Sequence, residues 1–291
     1  MGNIDTDKRR LPSWLKKGVL DIEETRFVRK ILKNLNLNTV CEGARCPNKG
    51  ECYASKTATF LILGNKCTRN CRFCSIEHSD SPEFNLLEPQ NVAEAVEKLG
   101  LSYTVVTSVT RDDLTDYGAG HFAQTVTAIK ARLPNVVVEV LVPDFNGDIK
   151  AIESVLDAGV DVFNHNVETI NDFYLKARPE ADYERSLDVL RYAKSYRPEM
   201  PTKTGIMLGL GESLPQLEEL FRDLKEVDVN ILTIGQYIQP AKHCLEVVKY
   251  YTESEFEDIK TLALKTGLEN VISGPLVRSS YKAFECFKNI T

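Results

Sequence analysis

Residues 58–74, ATFLILGNKCTRNCRFC, run from a short apolar stretch through Gly64 and Asn65 into three cysteines. The stretch 58–63 has strand length and is apolar and β-branched along most of it, the pattern of a strand covered on both faces. Gly64 and Asn65 then mark a turn. Cys67, Cys71 and Cys74 follow in C-x3-C-x2-C spacing, starting four residues after the strand ends. Three thiols so close are an awkward set. Structural zinc takes four ligands, and the nearest fourth candidate is His78. A redox pair would use Cys71 and Cys74 and leave Cys67 unexplained. An iron–sulfur cube takes thiolates on its iron corners, and three of them leave one iron open to a small molecule.

The pattern begun at residue 58 continues outward. Further strands are predicted over 102–109, 136–142, 160–166, 202–208 and 231–237, with amphipathic helices over 88–99, 119–132, 148–158, 182–196 and 214–227. Alternation of this kind gives βαβ units and a parallel sheet covered by helices. Six units suit an incomplete barrel or a doubly wound sheet, and both form their sites at the C-terminal strand ends. Polar and glycine-rich segments gather there: TSVTRDDL, HNVET, GLGES and QYIQP. Before residue 58 the chain is polar, with one helical stretch at ETRFVRKILKNL.

Composition narrows the function classes. With 43% hydrophobic and 27% charged residues, the 291-residue chain can bury a full core. A net charge of −6 argues against nucleic acid as a partner, because phosphate backbones recruit basic surfaces. No apolar run reaches the roughly 18 residues of a membrane span, and no export segment opens the sequence, so a cytoplasmic location without membrane contact is expected. MGNIDT fits a myristoylation pattern short enough to arise by chance. Six of the eight cysteines fall between residues 41 and 74, and such clustering fits metal or redox chemistry better than disulfide staples.

The second triplet, Cys41, Cys46 and Cys52, lies in CEGARCPNKGEC and reads as a second cube, again one ligand short. Cys244 and Cys286 are the obvious applicants, although a lone cysteine is ordinarily a small buried hydrophobe. C-x3-C-x2-C with Phe73 before the last cysteine resembles the signature of radical S-adenosylmethionine (SAM) enzymes. Together with FNHNVET, GIMLGLGE, QYIQP and GPLVRSSY, and over roughly residues 12 to 285, the chain resembles the lipoyl synthase family.

That resemblance implies a partial (β/α)6 TIM-like barrel over 58–240. An N-terminal extension (1–57) and a helical C-terminal extension (241–291) would cap its C-terminal mouth. It implies two 4Fe-4S clusters and S-adenosyl-L-methionine as cofactors. Cys67, Cys71 and Cys74 would hold the cluster whose open iron chelates SAM. Reductive cleavage then gives a 5′-deoxyadenosyl radical that removes hydrogen from an unactivated carbon. Cys41, Cys46 and Cys52 would hold an auxiliary cluster donating sulfur at C6 and C8 of a protein-bound octanoyl-lysine. Its missing ligand is a serine of the Arg278–Tyr281 motif, expected to be Ser280 rather than Ser279. Serine is a poor iron ligand, which suits a cluster that must come apart.

Further SAM contacts are expected at Thr107, Ser108, Asn166, Glu168, Gly209 and Glu212. Asp112 and Asp113 read as hydrogen-bonding or capping residues. Implied partners are octanoylated carriers (glycine cleavage H protein and the E2 lipoyl domains of 2-oxoacid dehydrogenases), a ferredoxin or flavodoxin reductant, and iron–sulfur carrier proteins. The competing enzyme is a radical SAM methylthiotransferase acting on tRNA, which would carry a basic C-terminal RNA-binding domain. Beyond enzymes stand an iron–sulfur electron carrier and a structural zinc protein.

Overall fold

A computed structural model describes residues 11–15 and 22–288, so the myristoylation pattern lies outside the described residues. Helix α1 (Glu23–Asn34) buries Val28, Ile31 and Leu32, one stripe at helical spacing. Strand β1 (Asn38–Thr39) leads into the short helices α2 (Val40–Gly43) and α3 (Lys49–Ala54), which carry the first cysteine group. Strand β2 (Thr59–Ile62) is buried at every position. Two short strands, β3 (Lys66–Cys67) and β4 (Glu77–His78), then pair in parallel and bracket the second cysteine group.

Regular alternation follows: α4 (Glu88–Leu99), β5 (Tyr103–Ser108), α5 (Ala119–Arg132), β6 (Val137–Leu141), α6 (Ile149–Asp157), β7 (Val162–Asn164), α7 (Tyr174–Ala177), α8 (Tyr183–Tyr196), β8 (Thr202–Leu208), α9 (Leu214–Glu226) and β9 (Ile231–Gln236). Local chemistry sets the helix ends. Gly100 closes α4 in the left-handed region at φ 66°, Asp148 caps α6 through the amides of Lys150 and Ala151, and a Ser213–Gln216 capping box opens α9.

The sheet runs β1-β2-β5-β6-β7-β8-β9-β10, where β10 is Asn270–Gly274. Strand β1 is antiparallel to β2, and every other neighbour is parallel. Its two edges remain unpaired with each other, so the architecture is a partial TIM-like barrel. The C-terminal segment corrects the expectation of a purely helical extension. After α10 (Glu253–Lys265) it supplies a further parallel strand, β10 (Asn270–Gly274), before α11 (Ala283–Lys288). NVISG is short and half-buried, which hides it from a search for continuous apolar runs.

The interior of the sheet is not uniformly apolar. Glu139 of β6, Asn164 of β7 and Lys203 of β8 are completely buried and form one polar layer with Tyr103 of β5. Above that layer the strand ends open into the site.

Candidate active site

A cavity of about 670 Å³ lies at the C-terminal strand ends, and all six clustered cysteines line it. The loop 67–74 is clamped from several sides. Thr68 donates to the Thr110 carbonyl through both its amide (3.1 Å) and its hydroxyl (3.0 Å). Arg69 forks onto Asp112 (2.6 and 2.9 Å) and onto buried Asp144 (2.9 and 2.7 Å), which also takes a bond from Arg185. The Arg72 amide reaches Ala177 and its carbonyl accepts from Leu245, both at 2.8 Å. Asp112 and Asp113 are thus partners of Arg69 and Arg111, in line with a hydrogen-bonding role.

Two amides point at the Cys67 sulfur, from Arg69 (3.4 Å) and Thr110 (3.3 Å), and the Ile76 amide points at Cys74 (3.4 Å). Such bonds stabilise a thiolate and tune a cluster. Burial works the other way. It raises the thiol pKa of Cys41 to about 11 and of Cys74 to about 12, and raises Cys71 against the opposing charge of Arg178. These thiols hold their protons until a cation displaces them.

Cys41 on α2, Cys46 in the connecting turn and Cys52 on α3 face the same cavity. Long-range bonds bring the C-terminal motif onto them. Asn48 donates to the Leu276 carbonyl at 2.6 Å, the Tyr281 hydroxyl to Glu51 at 2.6 Å, and Arg45 to the Pro240 carbonyl at 3.2 Å. Ser279 and Ser280 both line the cavity, but the Ser279 hydroxyl is committed to Asn166 Oδ1 at 2.8 Å. It also packs on β8: a Cβ at Gly205 would fall 2.3 Å from Ser279 Oγ. Cys244 is buried and turned to the Cys74 carbonyl (3.3 Å), so it packs under the loop. The side chain of Cys286 lies outside the described residues.

Thr107, Ser108, Asn166 and Glu168 line the cavity. Glu168, at φ 71°, sits in the left-handed region and takes a bond from Asn166 Nδ2 at 3.1 Å. Gly209 and Glu212 do not reach the cavity. The Glu212 carboxylate instead accepts from the amides of Gly209, Leu210 and Gly211 at 2.6, 3.0 and 3.0 Å, which folds the loop onto itself. A Cβ at Gly209 would strike Gln236 and the Lys249 carbonyl, so that glycine answers to packing rather than to a ligand. His78, the candidate fourth zinc ligand, is exposed beside Asp80.

Sequence reasoning passed over Arg69, His165 and Arg178. Buried Arg178 donates to the Asn166 carbonyl at 3.1 Å, and its charge acts on Cys71 and Glu168. A guanidinium so deep among strand ends has no sequence signal beyond its place after HNVET. Among the described residues, no three His, Cys, Asp or Glu side chains converge on a single-ion site. A cube places one thiolate on each of three separate irons. The donor set fits two such clusters, two thiol triplets and one free serine, and four buried polar atoms of lining residues have no protein partner: Asn48 Oδ1, Ser108 Oγ, His165 Nε2 and Arg178 Nε.

The sequence profile of the radical SAM superfamily matches residues 61–224, and that of the N-terminal domain of lipoyl synthase matches residues 2–46. Lipoyl synthase of Caldanaerobacter subterraneus subsp. tengcongensis is 51% identical over 274 residues, covering 94% of this chain and 96% of that one. Mitochondrial lipoyl synthase of Homo sapiens is 47% identical, covering 99% of this chain and 81% of the human protein. In fold, the chain is similar to the [FeFe]-hydrogenase maturase HydG, with a TM-score of 0.61 at 13% identity, covering 87% of this chain and 58% of that one. It is similar also to methylornithine synthase, with a TM-score of 0.54 at 14% identity and coverage of 88% and 84%. With both cysteine triplets and the Arg278–Tyr281 motif on one cavity, the chain belongs to the lipoyl synthase family of radical SAM enzymes.

Proposed function

We propose that this lipoyl synthase divides its two 4Fe-4S clusters between its two thiol triplets. Cys67, Cys71 and Cys74 hold the SAM-binding cluster, and Cys41, Cys46, Cys52 and Ser280 hold the auxiliary one. One observation carries this reading: a single cavity is lined by both triplets and by Ser280, the motif serine whose hydroxyl is not spent on Asn166. The functional division follows the chain, with residues 1–57 bringing one triplet, 58–240 the other and 241–291 the serine.

When bound, the cofactors supply hydrogen abstraction at unactivated carbon and the sulfur that replaces the hydrogen. The protein supplies position and dryness. Thr107, Ser108, Asn166 and Glu168 offer polar contacts for SAM, while Val105, Leu141, Met207 and Phe284 add apolar lining suited to an octanoyl chain. Amide donors to Cys67 and Cys74 hold negative charge on sulfur within a half-buried loop.

The carriers we assign are the glycine cleavage H protein and the E2 lipoyl domains, with ferredoxin or flavodoxin as reductant and iron–sulfur carriers restoring the auxiliary cluster. Among the described residues no helix is long and apolar enough to cross a membrane. We assign the protein to the cytoplasm.

The test uses anaerobically reconstituted protein with dithionite, SAM and an octanoyl-lysine peptide. Wild type should form deoxyadenosine and add two sulfurs to the peptide. Ser280→Ala should lose sulfur insertion and roughly half of its iron, while deoxyadenosine formation persists. Ser279→Ala should keep its iron. The reverse pattern would show that Ser279 is the ligand.

A further inference from the structure

His165 follows directly on β7, lines the cavity and is 1% exposed. Its Nδ1 lies 2.9 Å from the Val142 carbonyl oxygen. A carbonyl only accepts, so Nδ1 carries the ring proton and donates it there. Burial, with Arg178 and Arg69 nearby and against the opposing effects of Asp144 and the Val142 hydrogen bond, lowers the ring pKa to about 4. The imidazole is therefore neutral at working pH, and its Nε2 is a bare acceptor. No protein group reaches that atom.

A buried acceptor without a partner is costly and persists where something else fills it. Three other orphans line the cavity: Asn48 Oδ1 only accepts, Arg178 Nε makes no bond to the ring, and Ser108 Oγ is too far away. The register Thr107–Leu141–Asn164 puts Ser108 and His165 two strands apart, roughly 10 Å.

We propose that His165 Nε2 accepts a hydrogen bond from an O–H or N–H of a ligand held in this cavity. The ring precedes Asn166 and feels the charge of Arg178, as Cys71 does, and a hydroxyl of the adenosyl cofactor is one such donor. The amide N–H of the acyl-lysine offers the same chemistry. This role rests on the cavity being the site for SAM and acyl-lysine.

The measurement is SAM binding to two-cluster protein by equilibrium dialysis, beside KM for the octanoyl-lysine peptide. His165→Phe keeps a flat ring and removes the acceptor. About tenfold weaker SAM binding with peptide KM unchanged places the donor on SAM. About a tenfold higher peptide KM with SAM binding unchanged places it on the acyl-lysine. His165→Gln, which can still donate to Val142 and still accept, should recover most of either loss.

If both affinities stay at the wild-type level while iron content is intact, an internal water satisfies Nε2 and the role is wrong. If His165→Phe does not fold, wild type is titrated with 2′-deoxy-SAM, 3′-deoxy-SAM and an N-methylated octanoyl-lysine peptide. Equal affinity for all three and their parents also overturns it. Wild type that binds no SAM with both clusters in place contradicts the cavity assignment itself.

Discussion

Replacing Lys203 by methionine is expected to destabilise the fold by about 3–5 kcal/mol, the cost of leaving a buried carboxylate without its cation. Lys203 Nζ lies 3.0 and 2.9 Å from the two Glu139 oxygens, with side-chain exposures of 1% and 0%. The Tyr103 hydroxyl and Asn164 amide complete the carboxylate's bonds, so all four β-strands of this layer meet at one charge. Loss of the ammonium leaves that charge in a medium where it can neither solvate nor pair. Glu139→Gln added to Lys203→Met removes the charge and keeps an amide for Tyr103 and Asn164. The double variant should recover most of the loss. Anaerobic urea denaturation of wild type, both single variants and the double variant gives the coupling directly. A single variant as stable as wild type would show that the pair contributes nothing.

Arg69→Met is expected to cost about 3 kcal/mol and to act selectively on one cluster. Arg69 stands between Cys67 and Cys71 and ties their loop to Asp112 and Asp144. Asp112 is one-third exposed and can turn to water, but the Asp144 side chain is fully buried and keeps only Arg185 as a cation. The variant should retain roughly half its iron, on Cys41, Cys46 and Cys52, and lose deoxyadenosine formation. Selective loss of the other cluster would contradict the clamp.

The pH dependence has a definite sign. Burial would raise the Asp144 carboxyl, yet the bonds and charge of Arg69, with the charge of Arg185, hold it well below the ordinary range. A depressed carboxyl contributes stability above its unfolded value near ~3.9, lost as pH falls through the folded value. Unfolding curves of wild type and Arg69→Met should therefore diverge at neutral pH and converge in acid.

Much of the architecture was legible because its signals are local. Each of the six predicted strands contains the observed one, trimmed by up to two residues per end, and α4 and α5 start and stop at the predicted residues. Apolar runs of strand length and stripes at helical spacing need no distant partner to be read. Both cysteine triplets were equally plain, since each lies within a dozen residues. Strand β10 escaped because its burial comes from docking beside β9. Gly209 and Glu212 looked like ligand contacts because a glycine-rich strand end reads the same whether it meets a ligand or caps its own loop.

By itself the sequence determined the βα series, the odd number of thiols in each triplet and their place after the first strand. Only the tertiary structure decided which distant groups meet there. Glu51 with Tyr281, Asn48 with Leu276 and Arg69 with Asp144 are separated by 230, 228 and 75 positions, and no spacing rule spans such gaps. It also gave one of two adjacent serines, both lining the cavity, a hydrogen bond to Asn166. The physical reason is the range of the forces involved. Periodicity and turn chemistry act over a few residues, whereas a buried polar atom takes whatever partner the folded sheet brings within three ångströms.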